Sequence, residues 1–539
     1  MTDTGYSLTT LENFRGGLNY RTDAFNLDLN ESPDLMNVSV DPRGGIALRK
    51  GVTTHNQTAL GSNVKGIWSL YKDDGTNKVL VNYGTSIAAH DGTDFTNLVG
   101  PTARTAGSRV YGDTINNRAY GVSFDQPSFY YDGSTAADLG TTLDGTTGNF
   151  PQAKYVTHWN NFAWVGYTKE SGTNYPTRIR YSHANLPEQW DDLDYIDIGK
   201  GEGGDYITGV LGHNDRLMIF KANSTYALFG FDGDSFQLVT ISETVGMTGE
   251  SSAVSTPYGV FFWNDRQGVY LYDGTNMIWL FEKLQPAIDD GRISFNNNPP
   301  QLGWANNKLY VSVDYFDGDA NITKRHIYVY DPTMTAWVLW DVDASTLHTH
   351  HAPDGQPILY GACVDNTGRV VSIDTGETTA DRYTYTGGAY VSTNIASRFQ
   401  TSWVKTRNPI VRKRWGQMRL VTSAEKSGTL TVDVFHDYDT TVAATRMSGP
   451  KEELSYVVPI SGRQSSDSVW GTATWQNSGG TTGDGVWASG IVRQVTDIYK
   501  IGSGGTSSAI ALKITGPTQE NVPWEVNAVS FPHKSRRMR

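Results

Sequence analysis

The chain has 539 residues, enough for two or three domains with a large buried core, and it combines 57 Gly and 12% aromatic residues with only 19% charged residues. That mixture excludes disorder, which is charge-rich and aromatic-poor, and favours many short strands joined by tight turns. A net charge of −12 and a pI near 5.4 argue against a protein that grips phosphates, and the single cysteine, Cys363, excludes an internal disulfide and a cysteine-based zinc site. The opening MTDTGYSLTT lacks the basic and apolar regions of a signal peptide, and no apolar run reaches the ~18 residues of a membrane helix. A product made in a reducing cytoplasm, with no membrane segment, is therefore expected.

Residues 1–55 are rich in Asn and Asp and carry no repeat. They read as an extended docking arm that lies along a neighbour or along the next domain. From residue 56 to 390 short apolar runs alternate with turn residues, as in KVLVNYG (Lys78–Gly84), RLMIFKA (Arg216–Ala222), GVFFWND (Gly259–Asp265) and KLYVSVDYF (Lys308–Phe316). The punctuation repeats. Strands run into Asp-Gly at Asp91, Asp132, Asp232 and Asp273, and into Asp331-Pro332. Asp91 to Asp132 and Asp232 to Asp273 are both 41 residues. Asp-Gly at these points predicts two-residue hairpins. Other units open on Asn-rich turns, as in VTHWNNFAWVGY (Val156–Tyr167) and LGWANNKLYVSV (Leu302–Val313).

A four-stranded sheet every roughly forty to fifty residues is propeller spacing, and six or seven blades fit. An array of β-sandwiches would show a less regular Asp-Gly recurrence. Glu282–Asp290 is the one segment with helical character. Beyond about residue 390 the repeat stops, and RKRWGQMRLVTSA (Arg412–Ala424), GTLTVDVFHDYD (Gly428–Asp439), ALKITGP and WEVNAVSF alternate as strands of a C-terminal β-sandwich over 391–539. The fold class is all-β: a β-propeller with an N-terminal arm, a C-terminal sandwich and a basic tail.

Three clusters could carry chemistry. His348, His350 and His351, with Asp341, Asp343 or Asp354, could ligate zinc, since alternate strand residues share a face. Asp314, Asp317, Asp319 and Asn321 evoke a calcium loop without matching the EF-hand pattern. Glu188, Asp191 and Asp192 beside Trp190 could pair carboxylates around a sugar. A polar loop between strands explains each cluster more simply. The glycine-rich runs Gly199–Gly204 and Gly502–Gly505 lack Walker spacing, and there is no Gly-x-Ser-x-Gly elbow. No enzyme activity, metal or cofactor is expected.

The segment Asn13–Gly51, NFRGGLNYRTDAFNLDLNESPDLMNVSVDPRGGIALRKG, contains Gly16-Gly17-Leu18-Asn19, Glu31-Ser32-Pro33, Asn37-Val38 and Arg49-Lys50-Gly51. It resembles the N-terminal signature of many bacteriophage tail proteins. YSHANLPEQWDD (Tyr181–Asp192), FFWNDRQGVYLYDG (Phe261–Gly274) and RKRWGQMRLV resemble such proteins as well. The group is the β-propeller nozzle or tail-tubular proteins of short-tailed phages and related minor tail proteins. The resemblance implies a virion tail component made in the bacterial cytoplasm, with copies of itself forming a ring, commonly of six, around a channel through which phage DNA passes without specific binding. Adjacent tail or adaptor proteins would be its other partners. The residues expected at assembly contacts are Arg15, Asn19, Glu31, Pro33, Arg49 and Lys50 in the arm, and Arg412, Lys413, Arg414, Arg536 and Arg537 near the C-terminus. The rival expectation is a receptor- or glycan-binding propeller at the tail tip.

Overall fold

A computed structural model describes residues 7–535 apart from 200–203, 295–298, 318–321, 365–366, 375–379, 406–410, 425, 440–453, 461–494, 503–505 and 520–521. Apart from a short 3₁₀ turn, Glu282–Leu284, running into a helix, Gln285–Asp289, its regular structure is all strand. That helix falls where the sequence predicts one. Among the described residues no helix is long and apolar enough to cross a membrane.

The strands form a β-propeller. Blades 1 to 5 are separate four-stranded antiparallel sheets, whose innermost strands are Val64–Tyr71, Tyr111–Ile115, Gln152–Trp159, Ile207–His213 and Ala253–Thr256. Blade 6 comprises Gln301–Ala305, Lys308–Asp317, Ile322–Asp331 and Ala336–Trp340. Blade 7 comprises Ala344–His351, Pro357–Cys363 and Val370–Ile373, and takes its fourth strand, Thr53–Thr54, from the N-terminal segment. Neighbouring inner strands pack on each other around the whole cycle, and the ring closes where Ala344–His351 meets Val64–Tyr71. A strand from before the first blade completes the last one, so the ring is fastened by ladder hydrogen bonds as well as by packing.

Turn chemistry explains the regular spacing. The first turn of blades 2, 3 and 6 is Asn116-Asn117, Asn160-Asn161 or Asn306-Asn307, with φ of 46° and 65°, 51° and 66°, and 50° and 58°. Two successive residues at positive φ make the tight hairpin that suits strand twist, and Asn tolerates that region better than other side chains. The Asp-Gly sites behave differently from the two-residue hairpins expected of them. His90 pairs with Phe95, Tyr131 with Ala136 and Tyr272 with Met277, so each connection has four residues. Only the glycine is left-handed there, at φ 108°, 100° and 101° for Gly92, Gly133 and Gly274. The Asp carboxylate builds the turn instead, accepting the backbone N–H groups two and three residues on: Thr93 and Asp94, Ser134 and Thr135, Thr275 and Asn276.

Outside the ring lie two further sheets. One carries Lys413–Trp415, Met418–Ala424, Val495–Ile501, Thr506–Ser507 and Trp524–Ser535, to which Ser7–Leu11 and Ile46–Leu48 are added from the N-terminal segment. The other carries Arg398–Gln400, Gly428–His436, Ser455–Ile460 and Ala509–Thr515. Leu35–Met36 joins this second sheet to blade 6: Met36 pairs parallel with Leu339 and antiparallel with Arg398. Propeller and outer strands thus share one eleven-stranded sheet. One hydrophobic cluster continues from Trp263, Tyr310 and Trp340 of the blades to Leu430, Leu512, Trp524 and Phe531.

Candidate functional site: the N-terminal strap and the closing seam

The segment Asn13–Gly51 threads between the ring and the outer sheets, and many of its polar and glycine residues are used inside the chain. Gly17 sits at φ 67° with the backbone of Trp337 so near that a Cβ would lie 2.7 Å from its carbonyl oxygen. Only glycine meets both demands. Asn19 donates from Nδ2 to Glu31 Oε2 at 2.8 Å, and Glu31 pairs with Lys283 Nζ at 3.0 Å. Lys283 in turn donates to Gly16 O, so the two halves of the signature are tied together and to the short helix.

Arg49 is 1% exposed. Its Nη1 and Nη2 donate to Asp381 Oδ1 and Oδ2 at 2.9 and 2.7 Å, and its Nε to Asn37 Oδ1 at 2.8 Å. The Asp381 carboxylate also accepts the Val52 N–H, and the guanidinium lies 5.9 Å from the Trp340 ring centre. A buried carboxylate met by both arms of a guanidinium is the strong form of such a pair. It fixes the strap where Thr53–Thr54 enters blade 7.

Of the residues expected at assembly contacts, Asn19, Glu31 and Arg49 are buried and paired within the chain. Lys413 is buried too, with Nζ 5.3 Å from the Trp415 ring centre, and burial pulls its pKa below the ordinary lysine value. Pro33 is half-buried. Arg15, Lys50, Arg412 and Arg414 are exposed or partly so, Arg412 with Asp437 at 3.5 Å. Arg536 and Arg537 lie outside the described residues.

At the seam between blades 7 and 1, His348 and His350 do share a face. They meet one hydroxyl: Ser69 Oγ is 2.7 Å from His348 Nε2 and 2.8 Å from His350 Nδ1. His350 stacks on Tyr71 at 5.4 Å, and His55 on His90 at 3.8 Å. Burial, then the neighbouring imidazoles, push His55 and His348 down to about 3 and His350 to about 4. These rings are neutral at pH 7. A hydroxyl can donate to one ring nitrogen and accept the N–H of the other, an arrangement that two neutral rings satisfy. Of the expected carboxylates, Asp341 faces His326 at 3.7 Å and Asp354 caps its own turn at Gln356 N. Among the described residues no acidic group joins His348 and His350 in a three-donor metal cluster.

The other two clusters are also placed. Asp314 is buried against Arg325 at 3.1 Å, while Asp319 and Asn321 lie outside the described residues, as do positions 200–203 and 503–505 of the two glycine-rich runs. Glu188 accepts from Arg118 Nη1 at 2.6 Å and from the Tyr120 hydroxyl at 2.9 Å; Trp190 is fully buried beneath; Asp192 points to solvent. Sequence reading missed Ser69 and His55, because a lone Ser and a lone His on separate segments carry no spacing signal.

No family model and no curated protein matches the sequence. Solved structures resemble the chain distantly. The chain is 11% identical to the extracellular domain of the hybrid two-component system BT4673 from B. thetaiotaomicron, with a TM-score of 0.39 over 60% of this chain and 40% of that one. It is 9% identical to YCF48 bound to D1 peptide, with a TM-score of 0.35 over 64% of this chain and 99% of that one. Against BBS1N in complex with ARL6DN the identity is 9% and the TM-score 0.36, over 61% and 97% of the two chains. The chain thus covers less than half of the first of these proteins.

Proposed function

We propose that this chain is a structural component of a bacteriophage tail, acting by assembly as one copy of a ring that lines or closes the DNA-ejection channel. The observation that carries the reading is the job done by the signature segment. Gly16-Gly17, Asn19, Glu31, Asn37 and Arg49 are the residues that lock the strap between blade 6, blade 7 and the outer sheets. A resemblance concentrated in such residues is a resemblance of architecture, and it fits a protein whose role is to be a rigid part. A ring of sheets closed by its own N-terminal strand also leaves few free edges for misassembly. The accessible Arg15, Lys50, Arg412 and Arg414 are then the cations available to neighbouring copies or tail proteins.

Immunogold electron microscopy of phage particles, with antibody raised against residues 391–539, tests this. Label on the tail axis is the expected result. Label on peripheral fibres would replace the conduit by a receptor-binding propeller, and absence of label from intact and disrupted particles would overturn the structural role altogether.

A further inference from the structure

We infer that His183, Asp191 and Asp194 form a site for one divalent transition cation, zinc or manganese, on the outer connection of blade 3. The three residues lie in the excursion between strands Thr173–Tyr181 and Tyr195–Asp197. His183 Nε2 is 2.9 Å from Asp191 Oδ2 and 3.9 Å from Asp194 Oδ2, and one donor atom from each residue lies within 4.8 Å of the others. Metal–ligand bonds of about 2.0–2.1 Å in a tetrahedron put donors about 3.3 Å apart. The two histidine–carboxylate separations bracket that figure and the third donor pair lies within 4.8 Å, so side-chain adjustments of up to about 1.5 Å would close the site. The side chains are 35%, 48% and 26% exposed, which leaves an entry path and room for water to complete the coordination.

The backbone that carries these donors is held from several sides. His183 N donates to Gln189 O, Leu186 N to His183 O and Asp194 N to Asp191 O, while Gly145 N from a different loop donates to Trp190 O. Arg180 Nη1 donates to the carbonyl oxygens of Asp191 and Asp192. Trp190, fully buried between the donors in sequence, anchors the excursion with its Nε1–H on Pro187 O. The Tyr181 hydroxyl bonds the Asp194 carboxylate from outside the cluster, the kind of outer partner that orients a metal ligand.

Charge supplies the reason for a cation. Among the described residues no lysine or arginine comes within ion-pair distance of the Asp191 or Asp194 carboxylate, although Arg180 acts on Asp194 from farther off; the partner in direct contact with both is His183. A ring nitrogen offers one N–H at most, while two carboxylates converge on His183 Nε2; a dication held by all three would balance their charge. One nitrogen with two carboxylate oxygens suits zinc or manganese better than calcium or magnesium, which prefer all-oxygen shells.

The test uses the whole chain, stripped with EDTA and titrated with zinc chloride by calorimetry and tryptophan fluorescence. Trp190 provides a reporter inside the excursion. Saturable binding of one zinc per chain is expected, and both Asp194→Asn and His183→Gln should weaken it by at least about tenfold. Asp192→Asn, which removes a neighbouring carboxylate that is 79% exposed and outside the cluster, should leave binding unchanged. Circular dichroism of each variant establishes that the fold is retained; Asp194→Asn, the more conservative of the two, serves if His183→Gln does not fold. Absence of saturable binding at millimolar zinc overturns the site, and so does zinc binding that Asp194→Asn leaves at wild-type strength.

Discussion

Two facing histidines at the seam between blades 7 and 1 share a single hydroxyl. Replacing Ser69 by Ala leaves the buried His350 Nδ1 and the facing His348 Nε2 without their shared partner. An unsatisfied buried polar group costs about 1–3 kcal/mol, so Ser69→Ala should lower the denaturant midpoint by a corresponding amount without changing the slope of the transition. The same seam predicts an acid response. The folded-state pKa values of His55, His348 and His350, at about 3, 3 and 4, lie below the ordinary imidazole value of 6.5. Between those limits the unfolded chain binds protons that the folded chain does not. Stability from these groups is therefore fully present above pH 6.5 and is lost as pH falls toward 4 and then 3. Equilibrium unfolding from pH 8 to pH 4 should show this fall, and His350→Phe, which removes one of the titrating rings, should flatten it. A stability that is level across that range would mean that the rings titrate in the fold as they do in the unfolded chain.

At the level of elements, most of the ring was legible, because each blade is a local antiparallel sheet whose turns leave fixed residues behind. Asn160-Asn161 announces a tight hairpin on its own, and Asp-Gly announces a connection, although not its length: the carboxylate that caps four residues looks in sequence like the one that opens two. The strap was not legible. Thr53–Thr54 and Leu35–Met36 are two residues each, too short for any alternation, and their partners lie more than three hundred residues away. For the same reason Arg49 read as a surface cation: its partner, Asp381, is 332 residues distant. The turn argument has a direct check. Asn161 is exposed at φ 66°. Asn161→Gly should leave thermal stability nearly unchanged, whereas Asn161→Val should cost about 1–2 kcal/mol through the left-handed penalty alone. Equal effects of the two would show that something other than backbone conformation governs this turn.

For the whole molecule, the continuity of sheet and core has a consequence for how the chain unfolds. A propeller and a sandwich joined only by a linker would melt separately, as independent cores do. Here blade 6 and the outer strands belong to one sheet through Met36, one hydrophobic cluster spans both, and Ser7–Leu11, Ile46–Leu48 and Thr53–Thr54 distribute a single segment over the ring and its outer sheets. Calorimetry should therefore record one transition covering ring and outer sheets together. Arg49→Ala probes the coupling at its fastening point, because it strands the buried Asp381 carboxylate and frees the entry of Thr53–Thr54 into blade 7. Breaking a buried pair in this way costs about 3–5 kcal/mol, and the whole transition should move down by that amount while remaining single. A variant that instead sheds the outer sheets in a separate early step, with the ring melting at its original temperature, would locate the fastening elsewhere. The choice between those outcomes bears on the proposed role as well. Under that proposal a tail component exposed to DNA passage would need its parts to resist separation together, and the strap, with Arg49 fastening it at the last blade, would serve that need.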